Sequence, residues 1–280
     1  MSVAALSTSQ VESFRRDGFI APLDVFGADE VHDLRGRLED FEASLPAGPI
    51  APRDRRKLHV RLPWMRDLVE DRRLLDSMQP LLGPDILVFT STFFVKEAGS
   101  PAVAAWHQDA TYFGLEPPDL IAAWLALSEA SVEAGCMRFV AGSHRGGQLR
   151  HAADSVAASV NAGSQSIAEG FDAGEPAYAP LRAGQVSLHH ALTVHDSAPN
   201  RTADRRIGLS ISYLPAHIRR SGMRLSATLV RGTDRWGYYD PEPDPRRMAP
   251  SESEAAHAHA YALYRAGYRE QIARLAVPAA

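Results

Sequence analysis

The sequence has a single cysteine and no long hydrophobic run. One cysteine, Cys136, excludes a disulfide within the chain and is typical of a protein kept in a reducing compartment. No run approaches the roughly 18 apolar residues that a membrane-spanning helix needs. The opening segment also lacks the basic and apolar regions of a secretion signal. We therefore expect a cytoplasmic protein with no membrane partner.

An excess of basic charge is also missing. The formal net charge is −4, and only two of the 30 basic residues are lysines, Lys57 and Lys96. Nucleic acids bind proteins through sustained basic surfaces, so no nucleic-acid partner is expected. A chain of 280 residues with 45% hydrophobic content is long enough for one well-packed domain. Neither a repeat nor a linker divides residues 1–280, so we predict a single domain.

Hydrophobic periodicity predicts helices near both ends of the chain. N-terminal helices are expected within 9–82, and a loop followed by a helix within 217–275. Ser9 and Glu12 have the spacing of a capping box at the first helix. The last part of the N-terminal region, 66–82, is predicted to be one helical segment.

The region between the helices consists of short segments rich in β-branched and aromatic residues. Six segments have this character: 86–97, 104–113, 120–130, 136–144, 185–197 and 206–216. Their turn signals predict an antiparallel sandwich or barrel over 86–216, rather than alternating strands and helices. An insertion rich in Ala, Ser and Gly at 150–180 is predicted to act as a flap.

One predicted strand contains His107 and Asp109, two residues apart. Such side chains point to the same face of a strand and can enter one cavity together. A metal site needs a third ligand, and His195 in a later predicted strand is the best candidate. Two imidazoles and one carboxylate form the facial triad that suits Fe(II) and leaves positions open for substrate and oxygen.

Arg206 opens the last predicted strand, on which it shares a face with Gly208, Ser210 and Ser212. A buried arginine that faces a metal cavity needs an anion, which a dicarboxylate would supply through paired hydrogen bonds. The alternative is that Arg206 is only the less exposed member of a surface pair with Arg205.

Three stretches together resemble a known family: WHQDATYFGLEPPDLIAAWLAL, EAGCMRFVAGSHRG and GQVSLHHALTVHDSAPNRTADRRIGLSISY. They are similar to the phytanoyl-CoA dioxygenase-like group of iron(II)/2-oxoglutarate-dependent oxygenases. The resemblance covers about residues 10–220. It implies a mainly β fold with flanking helices, built on a double-stranded β-helix (jelly-roll) core.

The resemblance also implies roles for individual residues. His107, Asp109 and His195 would bind the iron. The residues implied for the 2-oxoglutarate site are Arg206, Ser197, Gln108, Trp124 and Lys57. The resemblance adds His59 as a substrate contact. Strand alternation and the aromatic loop at 231–247 extend the predicted substrate pocket to Thr90, Thr92, Phe94, Tyr112, Phe113 and Trp236.

The implied reaction is hydroxylation of an unactivated C–H bond of a small molecule in bacterial secondary metabolism. Oxygen is the oxidant, and succinate and CO2 are released. Asp109 favours hydroxylation, because relatives that halogenate lack this carboxylate. One alternative substrate is an acyl-CoA or lipid-like molecule, whose phosphates could be bound by Arg219, Arg220 and Arg224. Alternatives of other classes are a non-catalytic jelly-roll binding protein and a zinc hydrolase that uses His190 as its base.

Overall fold

The computed structural model describes residues 5–48, 50–153, 165–167 and 172–275. The α-helices are α1 (Thr8–Asp17), α2 (Ala28–Ser44), α3 (Pro63–Val69), α4 (Arg72–Leu82), α5 (Ala110–Phe113) and α6 (Pro250–Leu275). The first eight strands are β1 (Phe19–Asp24), β2 (Ile86–Lys96), β3 (Ala104–His107), β4 (Leu115–Glu116), β5 (Ile121–Ala126), β6 (Met137–Phe139), β7 (His151–Ala153) and β8 (Gln165–Ile167). The others are β9 (Ala177–Ala179), β10 (Gln185–His190), β11 (His195–Ser197), β12 (Arg206–Pro215), β13 (Arg219–Arg220), β14 (Ser226–Arg231) and β15 (Asp240–Pro241).

Two larger sheets form the body of the fold. One has the strand order β1-β10-β5-β12-β2-β14-β15, and the other has the order β3-β11-β6-β9. Side chains from both sheets line one cavity, the arrangement of a jelly roll. The structure thus confirms the predicted mainly β fold with flanking helices.

Two helix boundaries differ from the predictions. The capping box at α1 is formed by Ser7 and Gln10, whose side chains each accept a backbone N–H of the other, and it does not begin at Ser9. The segment 66–82 contains two helices, because the Asp71 carboxylate accepts the backbone N–H of Arg73 and starts α4.

Two predicted strands were wrong in their extent. The segment 104–113 is a strand only as far as His107, and the chain then turns into the short helix α5. The segment 185–197 is two strands, β10 and β11, which lie in different sheets. The turn between them is held by Thr193, whose hydroxyl donates to the Gly18 carbonyl at 2.8 Å. In the first segment the chain leaves a strand for a helix, and in the second it passes from the seven-stranded sheet to the four-stranded one. Periodicity along the sequence reveals neither change.

Strand β12 separates the apolar core from the cavity. It lies between β2 and β5. Its odd-numbered side chains pack in the main core, where the Tyr213 hydroxyl donates to the Val69 carbonyl at the end of α3. Its even-numbered positions include Arg206, Ser210 and Ser212, which line the cavity. Alternation along one strand therefore places a polar wall opposite the helical layer.

Residues 154–164 and 168–171 of the predicted flap at 150–180 lie outside the described residues, and its described parts include β7, β8 and β9. Within the described ranges, no helix combines the length and the apolar character needed to cross a bilayer.

Candidate active site

A cavity of about 810 Å³, including the space at its open end, lies between the two sheets. Of the residues predicted from the sequence, its wall contains Thr90, Thr92, Phe94, His107, Asp109, Tyr112, Phe113, Trp124, His195, Ser197 and Arg206. The wall residues that the sequence did not single out include Arg56, His189, Tyr264 and Tyr268.

The predicted triad converges at one end of this cavity. Candidate ligand atoms of His107, Asp109 and His195 all lie within 4.8 Å of one another. His107 and His195 are directly paired across β3 and β11. Asp109 lies in the turn after β3, with helical backbone angles of φ −61° and ψ −34°. The turn brings its Oδ1 to 3.6 Å from His107 Nε2, so the two residues meet through a turn and not through a shared strand face.

Backbone carbonyls fix the tautomer of both imidazoles. His107 Nδ1 donates to the Ala105 carbonyl at 2.8 Å, and His195 Nδ1 donates to the Thr193 carbonyl at 2.9 Å. A carbonyl can only accept, so each ring keeps its proton on Nδ1 and presents the Nε2 lone pair. Burial, together with His107 and His189 nearby, holds the pKa of His195 well below its usual range. The ring is therefore neutral, as a metal ligand must be.

His189 contacts Asp109, the third member of the predicted triad, and was not itself predicted from the sequence. Its Nε2 lies 3.4 Å from Asp109 Oδ2, and its side chain is buried. Burial by itself raises the pKa of Asp109, but the His107 and His189 imidazoles beside its carboxylate outweigh burial and hold this pKa well below its usual range. His190, considered as a hydrolytic base, instead lies 3.2 Å from Asp119 and is not on the cavity wall. Strand parity relative to the core residue Leu188 was the signal that could have identified His189.

Arg206 carries an uncompensated charge in the cavity. Its side chain is 2% exposed, and its Nε has no hydrogen-bond partner among the described residues. Burial lowers its pKa to about 10, which leaves it a cation at neutral pH. The guanidinium lies 5.2 Å from the Trp124 ring. A Cβ at Gly208 would lie 1.8 Å from that indole, so the glycine is what allows Trp124 to lie across β12.

Lys96 adds a second buried cation beside Arg206. Its ammonium donates to the Ser197 hydroxyl at 2.7 Å and to the Ser197 carbonyl at 3.2 Å. The Ser197 hydroxyl therefore accepts from Lys96 and retains its own proton for an acceptor in the cavity. On the cavity wall, the Arg206 guanidinium and this free hydroxyl proton fit the carboxylate of a bound acid.

Stability is expected to rise with pH because of Lys96. Burial, followed by repulsion from Arg206, lowers the pKa of Lys96 from 10.5 to about 7. Between these two values the unfolded chain binds a proton that the folded chain does not, so the free energy of unfolding increases as pH rises. We expect a gain of up to about 2 kcal/mol from pH 7 to pH 9. Urea unfolding of wild type and Lys96→Met at pH 7 and pH 9 measures this gain. If the free energy of unfolding changed equally between the two pH values in both proteins, the prediction would be contradicted.

Lys57 and His59 do not lie on the cavity wall. Both belong to a fully buried ionic cluster with Glu242: the Lys57 ammonium forms an ion pair with it, and His59 Nε2 lies 3.0 Å from Glu242 Oε2. His59 Nδ1 lies 2.8 Å from the Ser91 hydroxyl, and the Lys57 ammonium donates to the Phe89 carbonyl. The cluster joins the 231–247 loop to strand β2.

Glu242→Gln is expected to lower the free energy of unfolding by about 3 kcal/mol, because it leaves the Lys57 charge buried without its partner. Urea unfolding at pH 7 measures the change. Glu254→Gln is the matched control, because Glu254 forms an ion pair with Arg61 but is half exposed. The control should lose less than about 1 kcal/mol. Equal losses of unfolding free energy in the two variants would show that the buried Glu242 cluster stabilises the fold no more than an exposed ion pair does.

The remaining predicted residues have other positions. The Gln108 side chain is buried off the cavity wall, where it donates to the Gly147 and Leu192 carbonyls and accepts the Leu149 N–H. Trp236 is 41% exposed and lies beside the His217 ring. The three arginines considered for CoA phosphates each form an ion pair with an acidic residue: Arg219 with Glu116, Arg220 with Glu270 and Arg224 with Asp240.

Comparison with known sequences identifies relatives of this chain. A profile of the phytanoyl-CoA dioxygenase (PhyH) family matches residues 14–208. The chain is 30% identical to a probable alpha-ketoglutarate-dependent hypophosphite dioxygenase of Stutzerimonas stutzeri, over 56% of this chain and 55% of the relative. It is 29% identical to the ectoine dioxygenase of Bordetella parapertussis, over 50% of each. The chain thus spans about half the length of these curated relatives.

Solved structures extend the similarity over more of the chain. The apo form of the non-heme monooxygenase ThoJ has a TM-score of 0.84 and 29% identity, covering 94% of this chain and 99% of ThoJ. The non-heme alpha-ketoglutarate-dependent epimerase SnoN from nogalamycin biosynthesis has a TM-score of 0.61 and 25% identity, covering 76% of this chain and 83% of SnoN.

Proposed function

The chain belongs to the phytanoyl-CoA dioxygenase family, and from this premise we propose that it is an iron(II)- and 2-oxoglutarate-dependent oxygenase that hydroxylates a C–H bond of a small molecule. We further propose a role in secondary metabolism, which the similarity to an enzyme of nogalamycin biosynthesis supports. The free, buried Cys136 is consistent with the cytoplasm as the proposed compartment.

The observation that carries the proposal is the presence of two complementary features in one cavity. His107, Asp109 and His195 provide the facial triad, and Arg206 provides a buried cation without a carboxylate partner among the described residues. The donor set fits Fe(II), and the cation fits the distal carboxylate of 2-oxoglutarate. Bound together, the metal and 2-oxoglutarate supply oxygen activation coupled to the release of succinate and CO2.

The residues of the chain hold and orient these groups. Arg206 and the Ser197 hydroxyl would bind the distal carboxylate through charge-assisted hydrogen bonds, with the Trp124 ring beneath the guanidinium. His189 keeps Asp109 ionised and directs one of its oxygens away from the other ligands. Aromatic side chains of the wall exclude water and position the substrate; they are Phe94, Tyr112, Phe113, Tyr264 and Tyr268.

The alternatives have less support. A zinc hydrolase needs a base beside the metal-bound water, and His190 is instead engaged by Asp119 off the cavity wall. An acyl-CoA substrate needs cations free for its phosphates, whereas Arg219, Arg220 and Arg224 are all ion-paired. A non-catalytic binding protein would not need three candidate metal ligands with two imidazoles held in the metal-binding tautomer.

The decisive experiment adds Fe(II) and 2-oxoglutarate to metal-free protein without oxygen. We expect the weak visible charge-transfer absorption of a metal-chelated keto acid, followed by succinate release when air is admitted. Absence of the absorption in protein whose circular dichroism shows it to be folded would refute the oxygenase proposal. Metal binding without 2-oxoglutarate binding would favour the zinc hydrolase.

A further inference from the structure

Arg56 is a second arginine on the cavity wall, at a distance from Arg206. Arg56 forms a β-bridge with Thr92, whereas Arg206 is paired with Lys96 on the same strand β2. Four residues along a strand correspond to about 13 Å. The backbones that carry the two arginines therefore lie at separate places along β2, and only Arg206 is used by the proposed cosubstrate.

The backbone of Arg56 is held rigidly. The buried His257 of helix α6 donates from Nε2 to the Arg56 carbonyl at 2.8 Å. The next residue, Lys57, donates its N–H to the Ser91 carbonyl at 2.7 Å and adopts a left-handed conformation with φ 53°. Its ammonium is fixed in turn by Glu242. The ionic cluster behind the cavity thus anchors the segment that presents Arg56.

The Arg56 side chain, in contrast, has no carboxylate partner in the described ranges of the chain. It donates a long hydrogen bond of 3.4 Å to the Pro52 carbonyl and another to the Tyr264 phenol, both neutral acceptors. The two acidic residues of the cavity wall are already engaged, Asp109 in the triad and Asp196 by Arg138. A half-buried cation at the wall of a cavity is thus left to a ligand.

Aromatic rings surround this position. Tyr264 and Tyr268 come from helix α6, which lies beyond the segment matched by the family profile. The Tyr268 ring stacks on Tyr112, with ring centres 5.6 Å apart and planes 20° apart. Phe94 is on the same cavity wall. These surfaces suit the hydrocarbon or aromatic part of a molecule whose charged end is bound by Arg56.

We propose that Arg56 is a specificity-determining residue that binds the carboxylate of the substrate, and hence that the substrate is a small organic acid with an apolar body. This rests on the proposed oxygenase function for the identity of the cavity. Arg206 holds the cosubstrate, and Arg56 holds the acid group of the substrate. The apolar body of the substrate then lies along the cavity wall between Arg56 and the triad.

Binding of matched acids and amides tests the proposal without turnover. Phenylacetate and phenylacetamide, and hexanoate and hexanamide, are titrated by ligand-observed NMR into metal-free protein. The variants are Arg56→Met, Arg56→Lys, Arg206→Met and, as a matched control, Arg53→Met, whose side chain is half exposed in the same turn. We expect the acids to bind about tenfold or more tightly than their amides in wild type, Arg53→Met and Arg206→Met. In the Arg206→Met background, where the cosubstrate cation is absent, Arg56→Met should abolish this preference, and Arg56→Lys should restore part of it.

Two results overturn the assignment. If no acid binds better than its amide, Arg56 does not select a carboxylate. If the preference survives in Arg56→Met but disappears in Arg206→Met, the acids bind only at the cosubstrate position. The charge-transfer absorption with Fe(II) and 2-oxoglutarate is measured in parallel on Arg56→Met. An absorption that persists there, with acid preference lost, separates substrate recognition from the oxygenase chemistry itself.

Discussion

His195→Ala is expected to bind Fe(II) about 100-fold or more weakly than the wild-type protein. The variant leaves only His107 and Asp109, and two ligands hold a divalent metal poorly. The fold should survive, because the lost ring faces a cavity and its carbonyl partner at Thr193 lies in a turn. Anaerobic calorimetric titration with Fe(II) measures the affinity, and circular dichroism verifies the fold.

His190→Ala is the matched control for this loss. It removes a histidine from the preceding strand whose partner is Asp119 and which is not on the cavity wall, so Fe(II) affinity should be unchanged. His189→Ala tests whether His189, and not His195, is the second imidazole ligand. If His189→Ala lost the metal while His195→Ala retained it, the imidazole that contacts Asp109 would be the true ligand, and the assigned triad would be incorrect.

Arg206→Met is expected to weaken 2-oxoglutarate binding by about 100-fold while leaving Fe(II) affinity unchanged. The variant removes the charge-assisted pair to the distal carboxylate, and such pairs contribute several kcal/mol when buried. Metal-free Arg206→Met should also unfold at a higher temperature than wild type, because a buried guanidinium without a carboxylate partner is replaced by an apolar side chain. Calorimetry with 2-oxoglutarate and thermal unfolding measure the two effects.

Arg205→Met is the control, because Arg205 is adjacent in sequence but forms ion pairs with Glu42 and Glu97 away from the cavity. It should keep wild-type affinity for 2-oxoglutarate. Loss of affinity in Arg205→Met with none in Arg206→Met would support the surface-pair interpretation of these arginines and remove the cosubstrate site from β12.

The sequence alone was sufficient to predict which side chains share a face of a single strand. The pattern from Arg206 to Tyr213 assigns one face to polar residues and the other to apolar ones, and the structure has the apolar face in the core and Arg206, Ser210 and Ser212 on the cavity wall. The same argument pointed Thr90, Thr92 and Phe94 into the cavity, where they lie. A strand's two-residue period depends only on local backbone geometry, so it can be read without knowing what the strand contacts.

Where the chain changes sheet, local patterns were insufficient. His107 and Asp109 were selected as a pair on one strand, but Asp109 meets its partners through a turn. The predicted strand 185–197 crosses from one sheet to the other. The sequence therefore suggested His190 as a residue near the metal site, whereas His189 is the one that contacts Asp109. A one-residue error of parity moves a side chain to the opposite face of a sheet.

The sequence by itself determined the mainly β class, the flanking helices, the two-residue alternation of β12 and the residue types of a metal triad. Only the tertiary structure decided which charges are left without a partner. Lys57 and Lys96 are both buried, yet one is neutralised by Glu242 and the other lies beside Arg206. Arg56 acquires its place in the cavity from bonds to distant segments. The physical reason is that charge compensation depends on three-dimensional neighbours, which sequence spacing does not record.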